Sequence, residues 1–291
     1  MNSGTVSKTT ISGEIKVVTE EKGDVEVLQK PITDIKLEVE DIYTAFYDPG
    51  NQEFYVYNDD EELYVYNSDW ELADYYEEAY LAYEGTTVIN GYVYGVDGND
   101  LLKSDLQDIE EPIGEYTLPS IFVKAGTTYY FDYNYNNSGL TYHEGYFYMP
   151  AFMWASGEQS TNRRLALIKF SDTDLENLVI YDFLDLGSAG YNPTETRVTG
   201  ADYYDGKIYL FFKLPTNEIK TYDTDLTYLG IVEDHDDGLY SCLFHVGYNF
   251  YRVKVSGDPV VQKYSYNQET TYETYDLKGE ISINEMGGTI E

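Results

Sequence analysis

The chain has 291 residues, 42% of them apolar, enough to bury a sizeable core without a disulfide framework or a structural metal. Its 18 basic and 53 acidic side chains leave a formal charge of -35, which repels phosphate backbones and anionic membrane surfaces, so neither nucleic acid nor membrane is expected as a partner. No run approaches the roughly 18 apolar residues of a spanning helix, and the single cysteine, Cys242, excludes an intramolecular disulfide.

Met1-Asn2-Ser3-Gly4-Thr5 carries no basic patch followed by an apolar stretch, so no secretory signal peptide is expected, although a trimmed chain would read the same. Residues 9–19, 25–29 and 35–40 then read as short strands. Ile11, Gly13, Ile15 and Val17, followed by Val25 and Val27, alternate in a way that gives one apolar face. Residues 1–41 are therefore expected to form an N-terminal arm, either docking the protein to a partner or closing its fold.

From residue 42 onward, aromatic and β-branched runs of four to eight residues are bounded by Gly, Asn, Asp and Pro, with almost no helical period. Glu53-Phe-Tyr-Val-Tyr57, Glu62-Leu-Tyr-Val-Tyr66, Gly91-Tyr-Val-Tyr94, Lys207-Ile-Tyr-Leu-Phe-Phe212 and Phe250-Tyr-Arg-Val-Lys-Val255 are examples, and the fold class is all-β. A degenerate unit repeats: turn, aromatic strand, polar turn, second strand, then a turn marked by aspartate. The markers Asp69, Asp105, Asp174 and Asp225 lie 36, 69 and 51 residues apart, with Asn267 a further 42 beyond. Four-stranded propeller blades repeat at about 40–50 residues. The long interval is assigned to extra loops at residues 129–139 and 156–163, with Gly85-Thr-Thr87 and Gly126-Thr-Thr128 opening neighbouring units.

Asp205-Gly-Lys-Ile-Tyr209 with Tyr222-Asp-Thr-Asp-Leu226 is the clearest copy, and over residues 42–276 the pattern resembles the β-propeller superfamily. The resemblance implies about five four-stranded blades in a ring, which covers both faces of each blade and protects its edges. Neither a kelch double glycine nor a Gly-His to Trp-Asp repeat is present, so no particular propeller family is implied. Six blades and a sandwich are the rival architectures. In residues 277–291, Leu277-Lys-Gly-Glu-Ile-Ser-Ile283 echoes Ser12-Gly-Glu-Ile-Lys-Val17, which suggests that the termini pair or both leave the disc on one side, with a closing strand of the last blade as the plainer reading of one of them.

Little of this pattern carries chemistry. His143, His235, His245 and Cys242 are too few and too scattered for a zinc site, and Cys242 and His245, three apart in a strand, point to opposite faces. No serine stands in a nucleophile elbow and no phosphate loop exists. Asp97-Gly-Asn-Asp100 and Asp234-His-Asp-Asp237 read as turns and lack the spacing of a calcium loop. No cofactor is expected. Carboxylates are plentiful, and some five-bladed propellers are glycoside hydrolases, so Asp48, Asp132, Glu144 and Asp202 are the candidates for paired catalytic acids, with solvated turn residues as the plainer reading. Tyr129, Tyr130, Tyr133 and Tyr135, with Trp154, are the candidate contact surface, because aromatic rings interleaved with Asn and Asp stack and hydrogen-bond together. Trp70 is expected to fill space between blades.

The expected function is a non-enzymatic binding or assembly module, with a virus-particle subunit of the tail, collar or fibre type as the preferred instance and the virion as its location. Protein partners, a second copy of the chain, or a glycan are the expected ligands. A glycosidase and a lectin are the alternatives.

Overall fold

The computed structural model describes residues 15–17, 24–28, 33–37, 39, 42–58, 60–81, 84–133, 139–158, 163–186, 197–213, 218–234, 240–247, 249–254, 260–270 and 273–275. Contacts divide the chain into two units, residues 1–25 with 268–291 and residues 26–267. In the first, Ile15–Val17 pairs antiparallel with Glu273–Tyr275, Ile15 opposite Tyr275, whereas residues 277–283 lie outside the described residues.

The second unit is an all-β propeller of five blades. Blade 1 is Ile42–Asp48, Glu53–Asn58, Leu63–Tyr66 and Leu72–Tyr76, and blade 2 is Glu84–Ile89, Tyr92–Asp97, Asp100–Asp105 and Gly114–Thr117. Blade 3 takes Thr141–His143, Tyr146–Ala155, Arg164–Ser171 and Ile180–Asp185, and blade 4 takes Arg197–Tyr204, Lys207–Lys213, Glu218–Tyr222 and Tyr228–Asp234. Blade 5 has three strands of its own, Tyr240–Val246, Asn249–Lys254 and Val260–Thr270. Its outermost strand is Thr33–Lys36, which pairs antiparallel with residues 260–263, Ile35 opposite Val261. Thr33–Lys36, within the segment expected to form the N-terminal arm, thus pairs with a strand of blade 5. Asn267 consequently lies inside a strand and not in a marker turn.

Apolar side chains gather where one blade faces the next. Phe46, Tyr55 and Leu63 of blade 1 pack with Val93 and Leu106 of blade 2, and Tyr94 and Leu101 pack with Phe147 and Ile168 of blade 3. Phe152 and Leu167 meet Ile208 and Leu210 of blade 4, whose Tyr209 and Phe211 meet Phe250 of blade 5. Phe244, Tyr251 and Val261 close the circuit against Phe54 and Val56 of blade 1. Period-two alternation sends successive residues of each middle strand into opposite interfaces, as with Ile208, Leu210 and Phe212 on one side and Tyr209 and Phe211 on the other. Trp70 stacks on Phe54 at 4.1 Å and lies near Tyr251, filling the joint between blades 1 and 5.

The turns explain the sequence ruler. After the third strand of blade 1, Asn67 Oδ1 accepts the backbone N–H groups of Asp69 and Glu71; in blade 4, Asp223 Oδ1 accepts those of Asp225 and Thr227. In these two turns the capping residue stands two positions before the marker, and the residue after the marker, Trp70 or Leu226, takes a left-handed φ of 62° or 64°, whereas in blade 2 the marker Asp105 itself accepts the N–H of Gln107. The extra residues of the long interval begin earlier than expected. Ile121–Lys124 and Thr127–Asp132 form a hairpin turning at Gly126, and residues 129–132 pair with residues 152–155, so this segment extends the sheet of blade 3 instead of opening a blade. Pro150 sits between that pairing and the pairing of residues 146–148 with Thr141–His143, where among the described residues no strand pairs with it on that edge.

Candidate functional site

All five innermost strands line one cavity of about 290 Å³, which is the bore of the propeller. Its wall includes Thr44, Thr86, Thr141, Thr199 and Asp202, and His245 from blade 5. The strands converge at glycines. A Cβ on Gly85 would overlap the backbone of Gly139, and one on Gly139 would lie 2.7 Å from the nitrogen of Ala201, so blades 2, 3 and 4 meet there without side chains between them.

Further along the bore, adjacent residues of blade 4 reach opposite ways. Asp202 turns to blade 5, where its Oδ2 lies 2.5 Å from His245 Nδ1, and its Oδ1 accepts the N–H of Tyr203. Tyr203 turns to blade 3, where its ring stacks on His143 at 3.8 Å and its hydroxyl lies 3.1 Å from His143 Nε2. Glu144 Oε2 is 3.6 Å from the same nitrogen. Burial raises the carboxyl of Asp202 above the usual carboxylate range and outweighs the opposing pull of His245. Burial likewise raises Tyr203. Two inter-blade pairs therefore tie three blades together at the bore.

The four candidate acids do not assemble into a catalytic pair. Asp48, buried at the first hairpin, accepts the N–H groups of Gly50 and Asn51 and serves that turn. Asp132 is 2.6 Å from Arg163 in the added hairpin of blade 3, and Glu144 is an exposed turn residue with φ of 44°. Among the described residues only Asp202 of the four lines the bore. No group of three His, Cys, Asp or Glu among the described residues could hold a metal ion, and Asp97 to Asp100 is a two-residue hairpin turn. No helix of the described residues is long and apolar enough to cross a membrane.

The tyrosine ladder divides by alternation. Tyr129 packs on Phe183 at 4.7 Å, and Tyr133 is buried, its hydroxyl donating to the Pro119 carbonyl at 2.7 Å; both are structural. Tyr130 faces the other way, opposite Trp154 in the sheet, and the two rings stack at 5.6 Å with Arg163 over the indole. Tyr135, His235 and the side chain of Cys242 lie outside the described residues. Sequence reasoning missed Arg163, the Tyr203–His143 stack and the threonine lining. A signal existed only for the last: Thr44, Thr86, Thr141 and Thr199 each stand on the first strand of a unit.

No protein-family model matches the chain, and no curated protein matches it. Among solved structures it is similar to the β-propeller domain of Cps50 (Swd1) from Myceliophteria thermophila, with 6% identity and a TM-score of 0.42, over 81% of this chain and 99% of that one. The five-bladed architecture rests on the sheets and inter-blade clusters described above.

Proposed function

We propose that this chain is a non-enzymatic binding and assembly module that meets protein partners through its rim. The observation that carries the reading is the exposure of large apolar side chains on outermost strands: Leu72 and Tyr75 in blade 1, Tyr181 in blade 3, and Tyr228, Leu229 and Ile231 in blade 4. Such side chains favour burial, and spread over blades 1, 3 and 4 they suit contacts with several neighbours in an assembly. Strand addition at the rim is already used within the chain, since Val27 and Leu28 pair in parallel with Glu233 and Asp234 of the outermost strand of blade 4.

A virus-particle subunit of the tail, collar or fibre type is the instance we propose, with the virion as its location and residues before 24 as the docking part of the arm. Supporting this are the rim, the strand addition and the lack of a catalytic acid pair in the bore among the described residues. The Tyr130–Trp154 face supports a second reading in which the bound partner is a glycan. Electron microscopy of affinity-purified native complexes tests the first reading: the rim should be buried against neighbouring subunits. A solitary propeller that retains glycans on an array, and loses them on Trp154→Ala, would favour the second.

A further inference from the structure

We propose that the bore of the propeller is a binding site for a small, uncharged, hydroxyl-rich molecule, a role distinct from the rim contacts above. The cavity of about 290 Å³ stands near the lower end of the roughly 300–1,000 Å³ of small-molecule sites. Its polar lining includes the hydroxyls of Thr44, Thr86, Thr141 and Thr199, contributed by four different blades, beside the paired Asp202 and His245. Thr44 and Thr86 hydroxyls lie 3.2 Å apart and partner each other. Thr199 differs: the residue is 7% exposed and its Oγ1, buried in the wall, has no hydrogen-bond partner. A buried hydroxyl left unmatched costs about 1–3 kcal/mol, a cost that a ligand atom brought within reach of it would relieve.

Charge selects the class of ligand. The formal charge of -35 disfavours an anion. A tight cation site needs an uncompensated carboxylate, whereas Asp202, the acid lining the bore, is already engaged by His245 at 2.5 Å. What remains is a set of neutral donors and acceptors beside Tyr203, which lines the bore with its ring held against His143, and this suits hydroxyl groups on one side of a ligand and C–H groups on the other. A bore filled only by water is the competing account, because one water molecule could also satisfy Thr199.

The test uses the full chain and defined probes: glucose, galactose, xylose and myo-inositol as neutral polyols, tetramethylammonium as a cation and sulfate as an anion. Ligand-observed saturation-transfer NMR should give saturable binding for at least one polyol. The ring resonances of His245, which lines the bore, should shift with the same dissociation constant. Thr199→Val, which keeps the shape and removes the hydroxyl, should weaken binding by up to about tenfold, the worth of one net hydrogen bond, while leaving thermal stability unchanged or raised. Thr86→Val provides a second variant with the same expected direction. The proposal is overturned if no polyol binds, if only the cation or the anion does, or if polyol binding leaves the His245 resonances or the Thr199→Val affinity unaltered.

Discussion

His245 Nδ1 of blade 5 lies 2.5 Å from the Asp202 carboxylate of blade 4, a charge-bearing contact made across the joint between two blades. Removing the imidazole strands a carboxylate whose side chain is only 14% exposed. His245→Ala should therefore cost about 3 kcal/mol. The pH dependence has a definite sign. Burial holds the Asp202 pKa above its unfolded value, so ionising it costs more in the folded state than in the unfolded one. The penalty in His245→Ala should be small below the unfolded carboxylate pKa and grow as pH rises through the folded one. Adding Asp202→Asn should recover part of the loss at neutral pH. Urea denaturation of both variants at pH 5 and pH 8 checks this, and an equal deficit at the two values would rule out the stranded charge.

Ile35 pairs with Val261 and packs into the cluster between blades 5 and 1. Ile35→Ala should lower stability by about 2 kcal/mol, a Tm decrease of about 4–8 °C. Deleting residues 1–37 removes the whole outermost strand of blade 5 and should abolish cooperative melting, while deleting residues 1–23 should leave it intact. Circular dichroism melts of the two truncations distinguish a closing strand from a dispensable arm.

Gly139 has a φ of 146°, and a Cβ there would lie 2.7 Å from the Ala201 nitrogen. Backbone strain and overpacking add, so Gly139→Ala should destabilise by about 3 kcal/mol or more. Gly126→Ala, at a hairpin turn with nothing within 4 Å of the added methyl, pays only for its φ of 81° and should lose less. Chemical denaturation of the pair measures the contribution of close approach at the bore.

Lys169, 7% exposed, donates from Nζ to the Thr224 carbonyl at 2.8 Å and lies 4.3 Å from the centre of the Tyr146 ring and 5.2 Å from that of Tyr181. It fastens blade 3 to a turn of blade 4. Lys169→Met keeps much of the packing but loses the charge-assisted bond and the cation–π contacts, for a cost of about 2 kcal/mol. Tyr148 still donates to the same carbonyl at 3.3 Å, so no acceptor is orphaned. A loss near zero would mean the cation is held there without stabilising the joint.

The blades were legible because each is a local meander whose strands and turns follow one another in sequence. Glu53-Phe-Tyr-Val-Tyr57 and Lys207-Ile-Tyr-Leu-Phe-Phe212 fall inside Glu53–Asn58 and Lys207–Lys213. Pairing between distant segments was not legible in the same way. Thr33–Lys36 looks like any short strand, and nothing local says that its partner is 227 residues away at Val260–Lys263. The hairpin at residues 121–132 was misread because Gly126-Thr-Thr128 copies the start of a blade, although its strands meet the far end of Tyr146–Ala155. At the bore the difficulty was one of proximity. Asp202 was singled out as an acid and His245 as an isolated histidine, and only the ring brings them together.

The borrowed strand of blade 5 also sets a timetable for biosynthesis. Blades 1 to 4 are built from consecutive segments and can form as each leaves the ribosome, but residues 33–36 emerge ahead of all four and must wait for residues 260–263, which follow them. At about 5–20 residues per second, the early strand spends roughly ten to fifty seconds with an open edge. Throughout that interval the nascent chain is an incomplete arc whose first and fourth blades both present apolar faces meant for the fifth. Pausing or truncation late in translation should therefore be the most aggregation-prone event in the life of this protein, more so than damage to any single completed blade.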